Sequence, residues 1–167
     1  YAQTDKVINC IFGLLPEMEY TVEIAGESKS ADVCFTTDYE FVTLDVRKFG
    51  AKGDGVSDDT VFIQSAVSVC PENSRVLVPS GVYKITNIFL KSRIKLELSQ
   101  GAVLLADRER CSHAIFPGMT ESFDEKSEYN LGTWEGNPLD MFAGIITGVD
   151  VTDTEIYGAG LIDGNAT

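Results

Sequence analysis

Only one stretch of this chain has the spacing of a helix, and it comes before a long series of short strands with no further helix between them. From Ile63 the apolar positions Ile63, Ala66, Val67 and Cys70 recur at i, i+3, i+4 and i+7, one face of a helix over about 59–70. Ser57 or Asp58 stands where a side chain can accept from the free amides of the first turn. The acidic pair Asp58 and Asp59 also suits the positive end of the helix dipole. Pro71 and Asn73 stop the helix. Beyond it, RVLVP, GVYKI, NIFL, RIKLEL, AVLLA, FAGIIT, VDVTDTEIYG and GLIDG are short, rich in Val, Ile and Leu, and joined through Gly, Asn, Ser and Asp. A doubly wound α/β fold needs helices between its strands and is disfavoured. A sandwich and a parallel β-helix both remain.

The first forty residues read differently. Strands are expected over 7–12, 20–25 and 32–36, the last two with alternating polarity. Between the first two, GLLPEMEY has the spacing of a turn closed by a tyrosine whose hydroxyl reaches back to the backbone a few residues upstream. A linker at DYEF separates this part, residues 1–40, from a second part, 41–167, that starts at VTLDVRKFGAKGDG. Too few strands precede the linker to close a sandwich, so a truncated module is expected there.

Charge and cysteines narrow the function. Thirteen Lys and Arg against twenty-six Asp and Glu give a net charge of −13, which opposes nucleic-acid binding. No apolar run reaches the roughly 18 residues of a spanning helix, and the stretch from Tyr1 does not have the basic, apolar and small-residue pattern of a signal peptide. Cys10, Cys34, Cys70 and Cys111 contain no CxxC pair and have one histidine, His113, for company, so neither a zinc site nor any other metal or cofactor is expected. Free, mostly buried thiols are expected, with a Cys10 to Cys34 disulfide as the alternative.

Three motifs invite a chemical reading. GAKGDG precedes a helix, but it matches neither a dinucleotide fingerprint nor a P-loop, and two carboxylates stand where phosphate would sit. Asp58 and Asp59 are adjacent, point in different directions, and are better employed at the helix start than as an acid and base pair. His113 has no nucleophile context and reads as a packing or surface residue. The polar stretch 107–141 is longer than an ordinary connection. Within it, Trp134, the only tryptophan, and Glu135 form a candidate substrate-binding pair: an aromatic face stacks on a sugar ring and a carboxylate orders hydroxyls. The competing role for Trp134 is to pin this loop to the body.

In this order, VRKFGAKGDGVSDDTVFIQSAVSVC, RVLVPSGVYKITNIFLKSRIKLELSQGAVLLA and IYGAGLIDGNA resemble the start of the polygalacturonase family, glycoside hydrolase family 28, of pectin-lyase-like proteins. The resemblance implies a mostly β fold: the N-terminal coils of a right-handed parallel β-helix with an N-terminal capping helix. The stretch GLLPEMEY with TVEIAG and DVCFTT resembles the end of a fibronectin type III module, a partial β-sandwich ahead of the coils. WEGNPLDMF is similar to the branch that includes exo-acting enzymes. The implied activity is hydrolysis of α-1,4-galacturonan (pectin) with inversion, which needs an acid and a base about 6.5 to 9.5 Å apart and no metal. The family's N-T-D, D-D, G-H-G and R-I-K motifs belong to later coils. No catalytic residue is assigned here; they are expected downstream of Thr167, and this stretch alone is expected to be inactive. Arg93, Ile94 and Lys95 spell the last motif too early to be it. The implied partner is pectin or an oligogalacturonide, which points to a secreted protein, with the cytoplasm as the alternative. The alternative function is a non-catalytic polysaccharide-binding β-helix, adhesin or tailspike-like, and a third is a related lyase that would need acidic calcium-binding positions.

Overall fold

A computed structural model describes residues 10–26, 30–39, 42–120 and 129–166. The first two strands, β1 (Glu19–Ala25) and β2 (Ser30–Thr36), pair antiparallel from Glu19 with Thr36 to Ala25 with Ser30. Of the strand expected over 7–12, residues 7–9 lie outside the described residues and 10–12 are not strand. The tyrosine corner is present: the Leu15 amide donates to the Tyr20 hydroxyl at 2.9 Å. Thr37 closes the same turn, its hydroxyl donating to the Leu15 carbonyl at 2.6 Å.

The second part winds in coils. β3 (Thr43–Asp45) and β4 (Asp54–Asp58) form the first, followed by α1 (Thr60–Val69). β5 (Ser74–Val78), β6 (Gly81–Ile85) and β7 (Ile88–Phe89) form the next. β8 (Ile94–Leu98) and β9 (Ala102–Ala106) start a third. An insertion then carries β10 (Ile115–Phe116), β11 (Met119–Thr120), β12 (Tyr129–Asn130), β13 (Thr133–Trp134), β14 (Asn137–Pro138) and β15 (Met141–Phe142). The coil resumes at β16 (Ile146–Thr147), and β17 (Glu155–Gly158) and β18 (Leu161–Asp163) begin another. Three parallel sheets result, ordered β17-β8-β5-β3, β18-β9-β6-β4 and β16-β7. RVLVP pairs parallel with strands of both neighbouring coils, which rules out a chain of antiparallel hairpins.

Alternation explains why these strands stack. In β5, β8 and β9 every second side chain is buried, and the inward rows lie in register: Val76 faces Leu96, Val78 faces Leu98, and Tyr83 faces Leu104. A one-residue slip would turn every one of these side chains outward, so the register is strongly specified. Helix α1 buries Ile63, Ala66 and Val67 into the same core and lies within a residue of its expected limits. Gln64 performs a second job. Its side-chain amide donates to the Phe89 carbonyl at 3.0 Å and accepts from the Phe89 amide at 2.8 Å, pairing with β7 as a strand would.

The outer face of the first sheet carries a polar ladder. Arg75 Nη1 lies 2.7 Å from Glu97 Oε2 and Nη2 donates to Thr43 Oγ1 at 3.0 Å, while the Tyr157 hydroxyl donates to the same Glu97 oxygen at 3.0 Å. Burial, with Glu97 adding to it, pushes the Tyr157 hydroxyl up to about 12. Cysteine burial differs from expectation. All four thiols are free, but only Cys70 is buried; Cys10, Cys34 and Cys111 are exposed. Cys70 ends the apolar stripe of α1, whereas Cys34 and Cys111 fall on a two-stranded ribbon and a surface turn that no second layer covers among the described residues.

Candidate functional site: the insertion on the coil

The glycine turn holds an anion of its own making. The fully buried Asp59 carboxylate accepts from the Lys52 amide at 2.7 Å and the Gly53 amide at 2.9 Å, so the position a phosphate would occupy is filled by a side chain of the same chain. Gly53 is required there, since its φ is +65° and an added Cβ would lie 2.9 Å from the Tyr83 ring. Of the two residues expected at the helix start, Asp58 takes the role. Asp58 does accept from the Thr60 amide at 2.9 Å, but Ser57 turns away and donates its hydroxyl to Asp54 at 2.8 Å.

Asp54 orders the turn before the helix. It accepts from the Ser57 amide at 2.7 Å and the Val56 amide at 2.9 Å, which with the Ser57 hydroxyl hold its carboxyl down at about 2. Because the folded value lies below the ordinary one, the stability this turn supplies is full above about pH 4 and is lost as pH falls through the folded value. An NMR titration should place the Asp54 midpoint near 2. Ser57→Ala should raise it; an ordinary carboxylate midpoint in the unaltered protein would refute the assignment.

The insertion leaves the coil after β9 and returns before β16, and a single side chain ties both ends. Asn87, buried between β6 and β7, donates through its amide nitrogen to the Ala143 and Gly144 carbonyls, both at 2.9 Å. Its oxygen accepts from the Ala114 amide at 2.8 Å. FAGIIT is therefore split: Met141 and Phe142 pair antiparallel with β10, while Ile146 and Thr147 pair parallel with β7. Asp107 anchors the outgoing end, its carboxylate 3.0 Å from Lys84 Nζ and accepting from the Glu109 amide at 3.0 Å, which lowers its pKa. His113 Nε2 lies 2.8 Å from the Asp107 carbonyl; a carbonyl only accepts, so this nitrogen carries the proton and His113 serves packing.

Trp134 and Glu135 sit at the tip of a two-residue hairpin. Trp134 pairs with Asn137, and Glu135 and Gly136 both have positive φ, +50° and +83°, as a tight hairpin turn requires. Trp134 is 68% exposed, so its ring is not buried against the coil. Ile115, Leu139, Met141 and Phe142 are also exposed on the insertion. Arg93, the start of the misplaced RIK, instead bridges to Glu72 at 2.8 Å on the surface.

Two hollows flank the insertion. The larger, about 560 Å³, runs along α1 past Val61, Gln64, Ser65, Phe89, Ser112 and His113 and has no Asp, Glu, Lys or Arg in its wall. The smaller, about 280 Å³, is lined by Arg110, His113, Phe142, Gly144, Ile145 and Gly164 among others. Only the second offers a cation to an acidic ligand. Among the described residues no group of three or more His, Cys, Asp or Glu side chains could hold a metal ion, and no helix is long and apolar enough to cross a membrane.

Comparison with known proteins agrees with this geometry. A family model described as rhamnogalacturonase A/epimerase, pectate lyase-like, matches residues 43–98. The chain is 32% identical over 128 residues to an exo-poly-alpha-D-galacturonosidase of Dickeya chrysanthemi, covering 73% of this chain and 19% of that protein. It is 31% identical over 140 residues to the plasmin and fibronectin-binding protein A of Streptococcus pneumoniae, covering 74% of this chain and 20% of that one. It thus spans about a fifth of the length of the curated relatives it matches. In structure it is similar to the family 28 exopolygalacturonase of Yersinia enterocolitica, with a TM-score of 0.65 and 26% identity over 93% of this chain and 28% of that one. The chain is therefore polygalacturonase-like, a pectate-lyase-like parallel β segment of the kind found in family 28 glycoside hydrolases.

Proposed function

We propose that the protein containing this chain hydrolyses α-1,4 linkages of galacturonan with inversion, working inward from a chain end. The observation that carries this reading is the insertion: a regular parallel coil, similar to exo-acting galacturonan hydrolases, is interrupted once by a folded projection that exposes Trp134. A projection of this kind closes one end of a groove and makes a pocket for a terminal sugar. Trp134 stacks on a ring and Glu135 orders hydroxyls. Inversion requires an acid that protonates the leaving oxygen and a base that activates water across the bond. Those two groups are placed on coils beyond Thr167, so residues 1–167 alone should release no reducing ends from polygalacturonate. Helix α1 acts as the cover of the first coil, and the hairpin of β1 and β2 with its tyrosine corner is the end of a fibronectin type III-like module. A polymeric substrate places the protein outside the cell.

Exo action predicts that galacturonic acid or a short oligomer appears from the first minutes while the polymer's viscosity stays high; an early viscosity collapse would indicate internal cleavage. Trp134→Ala should weaken binding of short oligogalacturonides about tenfold, the worth of one sugar–aromatic contact of roughly 1.4 kcal/mol, with little change in melting temperature. A fall in melting temperature with unchanged binding would make Trp134 structural. The second reading, a non-catalytic binding module, is favoured by the likeness to plasmin and fibronectin-binding protein A.

A further inference from the structure

We propose that Arg110, held on the ring of Phe142, recognises the carboxylate of a uronic acid residue in the 280 Å³ cleft between insertion and coil, and so sets the preference for acidic over neutral sugars. The inference rests on the galacturonan reading above and adds a specificity residue to it. The guanidinium carbon lies 5.1 Å from the centroid of the Phe142 ring. Phe142 is itself fixed by pairing with Ile115, and the next two carbonyls are held by Asn87. The cation is thus positioned by a braced aromatic rather than by a carboxylate.

The neighbouring Asp107 and His113 side chains at the cleft already have partners. Asp107 is engaged by Lys84 and the Glu109 amide, and His113 Nε2 by the Asp107 carbonyl. Among the described residues no carboxylate partners Arg110. A guanidinium presents a planar fork that matches a carboxylate with two parallel hydrogen bonds, and stacking on a ring leaves that fork free at its edge. At about 280 Å³ the cleft falls just below the roughly 300–1,000 Å³ of drug-sized small-molecule pockets, room for a single ring rather than an oligosaccharide. Phe142 and Ile145 supply apolar wall, while Gly144 and Gly164 leave room for a ring to approach the backbone. In a chain of net charge −13 a polyuronate is repelled at long range, so a local cation is needed to hold it.

The test is calorimetric titration of the whole protein with trigalacturonate and with neutral galactotriose, for the unaltered protein and for Arg110→Gln, Arg110→Lys and Phe142→Leu. Arg110→Gln should weaken trigalacturonate binding about tenfold or more, as expected for a lost charge-assisted pair, and leave galactotriose binding and melting temperature unchanged. Arg110→Lys should recover part of the loss, and Phe142→Leu should weaken the acidic ligand alone. If Arg110→Gln binds trigalacturonate as the unaltered protein does, or loses both ligands equally, the Arg110 assignment is overturned while the galacturonan reading stands. An unaltered protein that ignores trigalacturonate overturns both.

Discussion

Replacing Asn87 with alanine should destabilise the coil by about 3 kcal/mol and free both ends of the insertion. Three backbone groups lose a hydrogen bond, the Ala143 and Gly144 carbonyls and the Ala114 amide, of which only Gly144 keeps another, from the Thr147 hydroxyl at 3.2 Å, and Asn87 is 4% exposed. A buried group left without a partner costs roughly 1–3 kcal/mol. The effect should extend beyond stability. Because the insertion carries Trp134 and Phe142, limited proteolysis should cut between β9 and β16 in the variant, and oligogalacturonide binding should weaken along with it. Asn87→Asp offers an informative partner: it keeps the acceptor for Ala114 but sets a carboxylate against two carbonyls. It should be at least as damaging as alanine. Unchanged melting and unchanged cleavage would show that the insertion stands on its own ladders.

The second large effect is expected at Asp59. Each carboxylate oxygen accepts from one amide, Oδ1 from Lys52 and Oδ2 from Gly53, in a fully buried position. Asp59→Ala leaves both amides unsatisfied and should cost about 3 kcal/mol. Asp59→Asn is nearly isosteric, yet it places an NH₂ against one of the amides, donor facing donor, and should recover only part of the loss. Urea melts of the whole protein would read both values. A change below about 1 kcal/mol for Asp59→Ala would show that the turn holds its shape through Gly53 and Tyr83 alone.

The strands and the helix were legible because their code is local, whereas their winding into a parallel coil came from the family resemblance, since a sandwich fitted the same strand pattern. Ile94, Leu96 and Leu98 alternate with Lys95 and Glu97 at a period of two, Val76 to Val78 form a short apolar run, and Ile63, Ala66 and Val67 repeat at helical spacing, so strands and helix could be read before any contact was known. The tyrosine corner was legible for the same reason, since Leu15 and Tyr20 are five residues apart. The insertion was visible only as a long polar connection. Its strands are two residues each, too short to show a period, and their pairings depend on Asn87, which lies 27 residues before Ala114 and 56 before Ala143. A lone asparagine in a turn carries no signal of that role. Arg110 was missed likewise, because its partner Phe142 comes from the far side of the insertion. Cysteine exposure was misjudged because residue type alone cannot say whether a second layer covers the ribbon of β1 and β2. Trp134 and Glu135 were singled out by type, and the hairpin that exposes them follows from Gly136, whose positive φ suits the turn.

The proposed hydrolysis of galacturonan by the protein that carries this parallel coil is tested most directly by one assay. If the proposed hydrolysis holds, the whole protein incubated with polygalacturonate should release new reducing ends in proportion to enzyme and time, with no product bearing a carbon–carbon double bond in the sugar ring, the mark of β-elimination. Unsaturated products would make the protein a lyase. Binding of the polymer with no new reducing ends would make the coil a recognition module and contradict the account.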